Sequence, residues 1–313
     1  MKLQRLEAIR KLYFSLPLVP RDCPLCGGKS GSLLVRRDRY FLPIDVVECT
    51  DCGFVHASRN LDREGARQFY TSIYPWLIYR RPRAEAEYDL QKREQAAFRW
   101  QRILARIDRP DSVFELGCGD GHFLAEARRL GISQLAAVEP DSSSRAHIIA
   151  SLGPETDLWG DLSDVPQKPL KSQLIAMFHV LEHLDDPLAV LRQLATDFEG
   201  WLVIEVPDLL GDWSMLGIQN FHLSHRSYFT PASLRALLAK AGFTVLHEER
   251  EGWETGIYPG NLRVLARRDA AGGDIASPDR PNVAAHIDTI LHPWSLRTGY
   301  PRCAVRLTRL ALS

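Results

Sequence analysis

The sequence predicts an α/β protein whose core is a seven-stranded, mostly parallel, doubly wound sheet, with a small cysteine-built module at its N-terminus. Three observations carry this. Apolar runs of strand length alternate with helix-period runs through residues 109–270. One of those runs, Val113-Phe114-Glu115-Leu116, opens into Gly117-Cys118-Gly119-Asp120-Gly121, with glycine at alternate positions before a helical pattern. Two C-x-x-C pairs, Cys23/Cys26 and Cys49/Cys52, precede all of this.

In chain order, residues 1–20 read as a short helix running into Pro17 and Pro20. Residues 21–60 hold the cysteine pairs. Each pair is a turn that points two sulfurs at one spot, followed by glycine (Gly27, Gly53) that lets backbone amides turn toward them. Four thiolates in a tetrahedron satisfy Zn²⁺, and the residues between the pairs suffice for a small hairpin. A structural zinc ribbon is therefore expected, with iron or a redox pair as the competing readings. Residues 61–83 are aromatic (Phe69, Tyr70, Tyr74, Trp76, Tyr79), and 84–107 are helical in pattern. Together residues 61–108 read as a helical, aromatic cap.

Strands are then expected at 112–117, 134–139, 155–159, 173–179 and 201–206, and helices at 121–130, 142–152, 187–197 and 231–241. Thr230-Pro231 supplies a cap and a first-turn proline for the last helix, and Gly242 ends it. Runs at 243–249 and 261–268 complete seven strands. Residues 271–313 read as a linker and a tail.

Composition narrows the function classes. Lys+Arg and Asp+Glu both total 39, so the chain lacks the basic excess of a dedicated nucleic-acid binder. An arginine cluster at Arg80, Arg81 and Arg83 reads as solvated surface. No apolar run is long enough to span a bilayer, and charges break the N-terminal apolar residues, so a cytoplasmic protein is expected.

The glycine turn gives the chemistry. Without a Cβ, Gly117, Gly119 and Gly121 make a flat floor that a ligand can approach closely. Glu139 closes the second strand run, where a carboxylate can accept from both hydroxyls of a ribose. The spacing is G-x-G-x-G rather than the dinucleotide G-x-G-x-x-G, and Glu115 stands just before it. An acid there repels a pyrophosphate but suits a cationic ammonium. S-adenosylmethionine has an ammonium, a ribose and no phosphate.

On these residues the chain resembles the class I S-adenosylmethionine-dependent methyltransferases, with E-x-G-x-G-x-G at 115–121 and the acid-ended second strand at Val138-Glu139-Pro140. The resemblance implies cofactor contacts from Glu115, Gly117, Cys118, Gly119, Gly121, Glu139 and Pro140. It adds Asp161 toward the adenine amine, Tyr70 or Tyr74 closing over the ligand, and His179 near the transferable methyl. Alone, His179-x-x-Glu182-His183 matches a metalloprotease pattern, but that pattern needs a helix and His179 ends a strand run. His183 reads either as a helix-start hydrogen-bonding residue or as a catalytic one.

The segment His222-Leu223-Ser224-His225-Arg226-Ser227-Tyr228-Phe229, together with the cysteine pairs, resembles nucleotide-sugar C-methyltransferases with an N-terminal zinc domain. That likeness implies His225 as a base and Tyr228 as an accessory group, although Ser224 stands where those enzymes have an acid. A small-molecule acceptor is the expected partner. A non-catalytic binding module and an NAD-linked oxidoreductase are the alternatives.

Overall fold

Bringing two C-x-x-C turns together needs a tight connection, and a β-hairpin supplies it. The computed structural model describes residues 7, 11–39, 42–73, 86–166, 171–196, 198–211, 220–250, 260–269 and 282–291. After β1 (Leu18–Pro20), strands β2 (Gly31–Arg37) and β3 (Pro43–Cys49) form an antiparallel hairpin between the cysteine pairs, with Gly31 opposite Cys49. Strand β4 (Val55–Ala57) adds to β3, while β5 (Arg59–Leu61) pairs separately with β1. Helix α1 (Arg63–Gln68) is capped by Asp62 and runs into a π-helical turn at 69–73.

Helix α2 (Ala86–Leu104) leads into β6 (Ser112–Leu116), α3 (His122–Arg129), β7 (Gln134–Val138), α4 (Ser142–Leu152), β8 (Asp157–Trp159) and β9 (Leu174–Phe178). Then come α5 (Pro187–Ala195), β10 (Trp201–Pro207), β11 (Ser227–Tyr228), α6 (Pro231–Lys240), β12 (Phe243–Arg250), β13 (Asn261–Arg268) and α7 (Val283–Leu291). Helix starts follow local chemistry. Asp141, Asp186 and Thr230 each accept a hydrogen bond from the first turn they cap, and Pro187 and Pro231 occupy first-turn positions where no amide proton is needed.

The seven-stranded sheet has the order β12–β13–β10–β9–β6–β7–β8. The strands from β6 to β10 run parallel. Only β13 is reversed: it is antiparallel to both β10 and β12, so β12 returns to the direction of the others. Because side chains alternate across a strand, the sheet buries apolar residues on both faces. Val113, Leu174, Ala176 and Val203 pack under Trp100 and Ile103 of α2 and Phe123, Leu124 and Ala127 of α3. On the other face Phe114, Leu116, Ile175 and Met177 meet Leu188 and Leu191 of α5 and Leu234 and Leu237 of α6.

That second core also contains Cys23, Leu25, Cys49 and Phe54, so the cysteine module is packed on the sheet domain. The expected boundary near residue 60 is crossed by backbone pairing. Ser227 and Tyr228 of β11 pair with His56 and Val55 of β4, making a four-stranded sheet β11–β4–β3–β2. Phe54 and Phe229, both fully buried, meet edge-on at 5.6 Å across this junction. Such a contact contributes about 1 kcal/mol beyond the burial of the rings.

No described helix is long and apolar enough to cross a membrane. Tyr74, Trp76, Tyr79, the arginines at 80, 81 and 83, the linker at 271–280 and the tail beyond 291 lie outside the described residues, as does the side chain of Tyr70.

Candidate active site

The glycine turn after β6 is held by its own backbone. Gly117, Gly119 and Gly121 all have positive φ (74°, 56° and 78°), a region that side-chain-bearing residues rarely adopt. Their surroundings differ. A Cβ at Gly117 would lie 2.5 Å from Val180 Cγ2, and one at Gly121 3.0 Å from Ile148 Cγ1, so both serve close packing. A Cβ at Gly119 would meet nothing within 4 Å. The turn thus leaves an open floor at Gly119, next to the start of α3, where Gly121 offers no side-chain cap.

Two carboxylates border this floor. Glu139 Oε2 accepts from the Gly119 amide at 2.7 Å and Oε1 from the Asp141 amide at 2.9 Å. Each oxygen keeps a second lone pair, so both can also accept from a vicinal diol. Glu115 is 4% exposed and its Oε2 has no hydrogen-bond partner. Burial pushes its pKa up to about 8; the charge of Glu139 adds to the rise and Arg99 opposes it. A buried carboxyl with an unmet acceptor is costly unless a ligand satisfies it. An adenosyl ligand, donating from its ribose hydroxyls and its ammonium, fits these two acceptors.

The other expected cofactor residues are placed as follows. Pro140 is exposed beside Glu139. Asp161 caps the turn at 162–164, accepting from the Ser163 amide and hydroxyl at 2.8 and 2.7 Å. Cys118 is 8% exposed, with its thiol in the core beneath α3 and its amide and carbonyl bonded to Val138 O and Gly121 N. Its side chain packs in the core and its backbone helps shape the turn.

His179, at the end of β9, is the one described non-glycine residue with positive φ (57°). Left-handed backbone at a side-chain-bearing residue is strain, and such strain concentrates at functional sites. Its imidazole lies between two carboxylates, Nδ1 at 3.3 Å from Glu182 Oε1 and Nε2 at 3.3 Å from Glu205 Oε1. Burial works to lower its pKa, but the two carboxylates outweigh that and raise it to about 9. His179 is thus held as a cation at neutral pH, so the role expected for it beside the methyl is not that of a proton acceptor.

Glu205 is held by more than His179. It lies 1% exposed between Arg99 (2.5 Å) and Arg263, and despite burial these cations and His179 keep its pKa well below the ordinary value. This buried network beneath α2 escaped sequence reading. Its one signal was a lone glutamate inside the apolar run Trp201-Leu202-Val203-Ile204-Glu205-Val206.

The loop 220–229, which carries His225 and Tyr228, is gripped at several points. Arg21 donates to the carbonyls of Asp185 and Arg226 at 2.6 and 2.5 Å, the Arg226 amide donates to Glu182 O, and Asp38 Oδ2 accepts from the Leu223 amide. His225 is placed beside His183, with ring centroids 4.9 Å apart. Burial, assisted by the neighbouring His183, drives its pKa down to about 3, so it is a neutral imidazole. Its ring also forms one wall of a cavity of about 70 Å³ shared with Tyr13, Asp45, Asn60 and Tyr228. Tyr228 is 3% exposed, donates its hydroxyl to His222 O at 3.4 Å, and has its pKa raised by burial. It packs in β11 with its hydroxyl turned to the His222 carbonyl.

The four cysteines converge. Cys23 and Cys52 sulfurs lie 3.5 Å apart, those of Cys26 and Cys49 3.6 Å, and all four within 4.8 Å. Sulfurs tetrahedral about Zn²⁺ at about 2.3 Å would be roughly 3.8 Å apart, so the cluster fits that ion. The two knuckles are near copies: Gly27 and Gly53 have φ of 78° and 76° and donate to Cys23 O and Cys49 O. The Gly28 amide donates to Cys26 Sγ at 3.3 Å.

A family model described as a methyltransferase domain matches residues 88–248. No curated protein matches the sequence. Among solved structures, the magnesium protoporphyrin IX methyltransferase of Synechocystis PCC 6803, with bound SAH, is 15% identical, with a TM-score of 0.48 over 66% of this chain and 100% of that one. An S-adenosylmethionine-dependent methyltransferase from Mesorhizobium loti is 19% identical (TM-score 0.44, 54% and 97% covered). The mitomycin 7-O-methyltransferase MmcR is 17% identical (0.48, 64% and 60%). With the family model covering the glycine turn, Glu139 and the residues after β9, the chain belongs to the class I S-adenosylmethionine-dependent methyltransferases.

Proposed function

We propose that the protein transfers a methyl group from S-adenosylmethionine to a small-molecule acceptor of the sugar or natural-product kind, at oxygen or carbon. The observation that carries this reading is the open floor at Gly119, bordered by Glu139 and by the unsatisfied oxygen of Glu115. The bound cofactor supplies a methyl already activated by its sulfonium. The chain's own residues hold the ribose (Glu139), meet the ammonium (Glu115), exclude water and receive the acceptor's proton on the side of His225 and His183. Zn²⁺ in the cysteine cluster is a folding element in this scheme, and residues 1–60 carry the acceptor loop through β4.

Calorimetry with S-adenosylhomocysteine and NAD in parallel tests the reading: tight binding of the first and none of the second is expected. The reverse result would overturn it. On a panel of nucleotide sugars and natural products, His225→Ala should lower turnover by about 10²-fold or more while S-adenosylhomocysteine affinity stays within about twofold. Full turnover by this variant would remove His225 from the chemistry.

A pH effect follows from Glu115. Without ligand its carboxyl stays protonated up to about pH 8. A ligand ammonium stabilises the carboxylate, lowers that pKa and expels the proton, so affinity should rise with pH through neutrality and level off near pH 8. Calorimetry at pH 7 in phosphate and in Tris should report close to one proton released per S-adenosylhomocysteine bound, and none from Glu115→Gln.

A further inference from the structure

We propose that Glu182, His183 and His225 form a second metal site, separate from the four cysteines, that takes one divalent transition-metal ion such as Mn²⁺, Fe²⁺ or Co²⁺ at the acceptor side of the cleft. It rests on the methyltransferase reading only for its purpose, not for its geometry.

The two imidazoles are oriented as metal ligands are. His183 Nδ1 donates to Ser224 O at 2.9 Å, and His225 Nδ1 donates to Asn220 O at 3.1 Å. A carbonyl only accepts, so each ring carries its proton on Nδ1 and presents a lone pair at Nε2. A histidine whose other nitrogen donates to a backbone carbonyl is the usual support for a metal ligand. His183 Nε2 lies 3.9 Å from Glu182 Oε1, and one ligand atom from each of the three residues falls within 4.8 Å of the others.

The independent observation is Glu182 itself. It is 1% exposed, and neither carboxylate oxygen has a hydrogen-bond partner. His179 faces Oε1 at 3.3 Å and balances part of the charge, but this leaves the carboxylate without the hydrogen bonds that a buried anion requires. A cation between Glu182 and the two Nε2 atoms meets that requirement. Two imidazoles and one carboxylate suit first-row divalent ions and leave coordination positions open. An ion there would occupy the Nε2 lone pairs of His183 and His225, so with the metal bound the two imidazoles would hold the ion instead of taking the acceptor's proton. The ion would make an acceptor hydroxyl more acidic, which favours oxygen over carbon as the methylated atom.

Backbone pairing and hydrogen bonds hold the three residues in place. Glu182 and His183 lie in the turn at 181–183 after β9, His225 sits in the loop fixed by β11, and the Arg226 amide ties that loop to Glu182 O at 2.7 Å. The three ligands are thus positioned from two segments about forty residues apart that share a backbone hydrogen bond.

Mn²⁺ titration followed by electron paramagnetic resonance tests this on the full chain with its cysteine site loaded, since manganese does not compete for thiolates. One Mn²⁺ per chain is expected, weakened at least about tenfold by Glu182→Gln and by His225→Ala. S-adenosylhomocysteine affinity and thermal unfolding are measured on the same samples. Absence of Mn²⁺ binding up to millimolar concentration overturns the metal site, as does binding that both variants leave unchanged. Loss of S-adenosylhomocysteine binding with Mn²⁺ binding intact would instead count against the methyltransferase reading alone. If Glu182→Gln fails to fold, His225→Ala and His183→Ala decide the matter.

Discussion

Glu139→Ala is expected to lower the affinity for S-adenosylhomocysteine by about 10²–10⁴-fold, the largest effect of any single substitution at the cofactor cleft. Two hydrogen bonds from ribose hydroxyls to a charged acceptor are each worth about 1.5–3 kcal/mol, and a factor of ten corresponds to about 1.4 kcal/mol. A second contribution comes from the turn. Glu139 accepts from the Gly119 and Asp141 amides, so its removal also frees the floor on which the ligand rests. The fold should survive. Asp141 caps α4 through its own carboxylate, and the Gly117 amide remains tied to Val138 O. Glu139→Gln keeps one acceptor and should fall between the parent and the alanine variant. The measurement is calorimetric, with circular dichroism to confirm folding. If a folded Glu139→Ala binds the ligand as tightly as the parent, the carboxylate does not hold the ribose and the cofactor reading of the cleft fails.

The sequence and the structure agree where local chemistry decides. Each predicted strand from 112 to 268 is present within a few residues, because a parallel sheet covered on both faces must be written as apolar runs of strand length. The Thr230 cap and the glycine turn were legible for the same reason: their requirements are met by neighbours in the chain. The cysteine pairs predicted their own meeting, since spacing alone restricts how two knuckles close.

What stayed hidden depends on residues far apart. Strand β11 has two residues, too few to show any period, and its partner β4 lies about 170 positions earlier. Nothing in Ser227-Tyr228 announces that the acceptor loop belongs to the sheet of the cysteine module. His225 reads as a possible base, because histidine titrates near neutrality, and His179 as a neighbour of the transferable methyl. Their environments separate them: two carboxylates make His179 a cation, while burial beside His183 keeps His225 neutral. Glu182 was visible as part of an H-x-x-E-H string, but its convergence with His225 is a product of the fold.

Loss of the cysteine-bound metal is the prediction with the widest reach, because the four-stranded sheet makes the N-terminal module the mount for the acceptor loop. Cys49 is 1% exposed and ends β3, which pairs with β4, which in turn pairs with β11. The hairpin's far end holds the loop as well, through Asp38 and through the Arg39 amide donating to Phe221 O. Structural zinc contributes about 10–16 kcal/mol in small domains, comparable to or larger than the 5–15 kcal/mol by which whole domains are stable. Cys49→Ser, or chelation at neutral pH, should therefore melt the module first and release residues 220–229, while the parallel strands keep their core under α2 and α3. Hydrogen exchange should rise at 226–229 and at 55–57 but not in β6, β7 or β9. Turnover should fall far more than S-adenosylhomocysteine affinity, since the glycine turn and Glu139 make no contact with the hairpin in the hydrogen bonds described. Metal analysis of protein purified without chelators sets the premise: it should find one zinc per chain bound to the cysteines, and unchanged exchange at 226–229 in a Cys49→Ser variant that has lost this zinc would show that the module does not carry the loop.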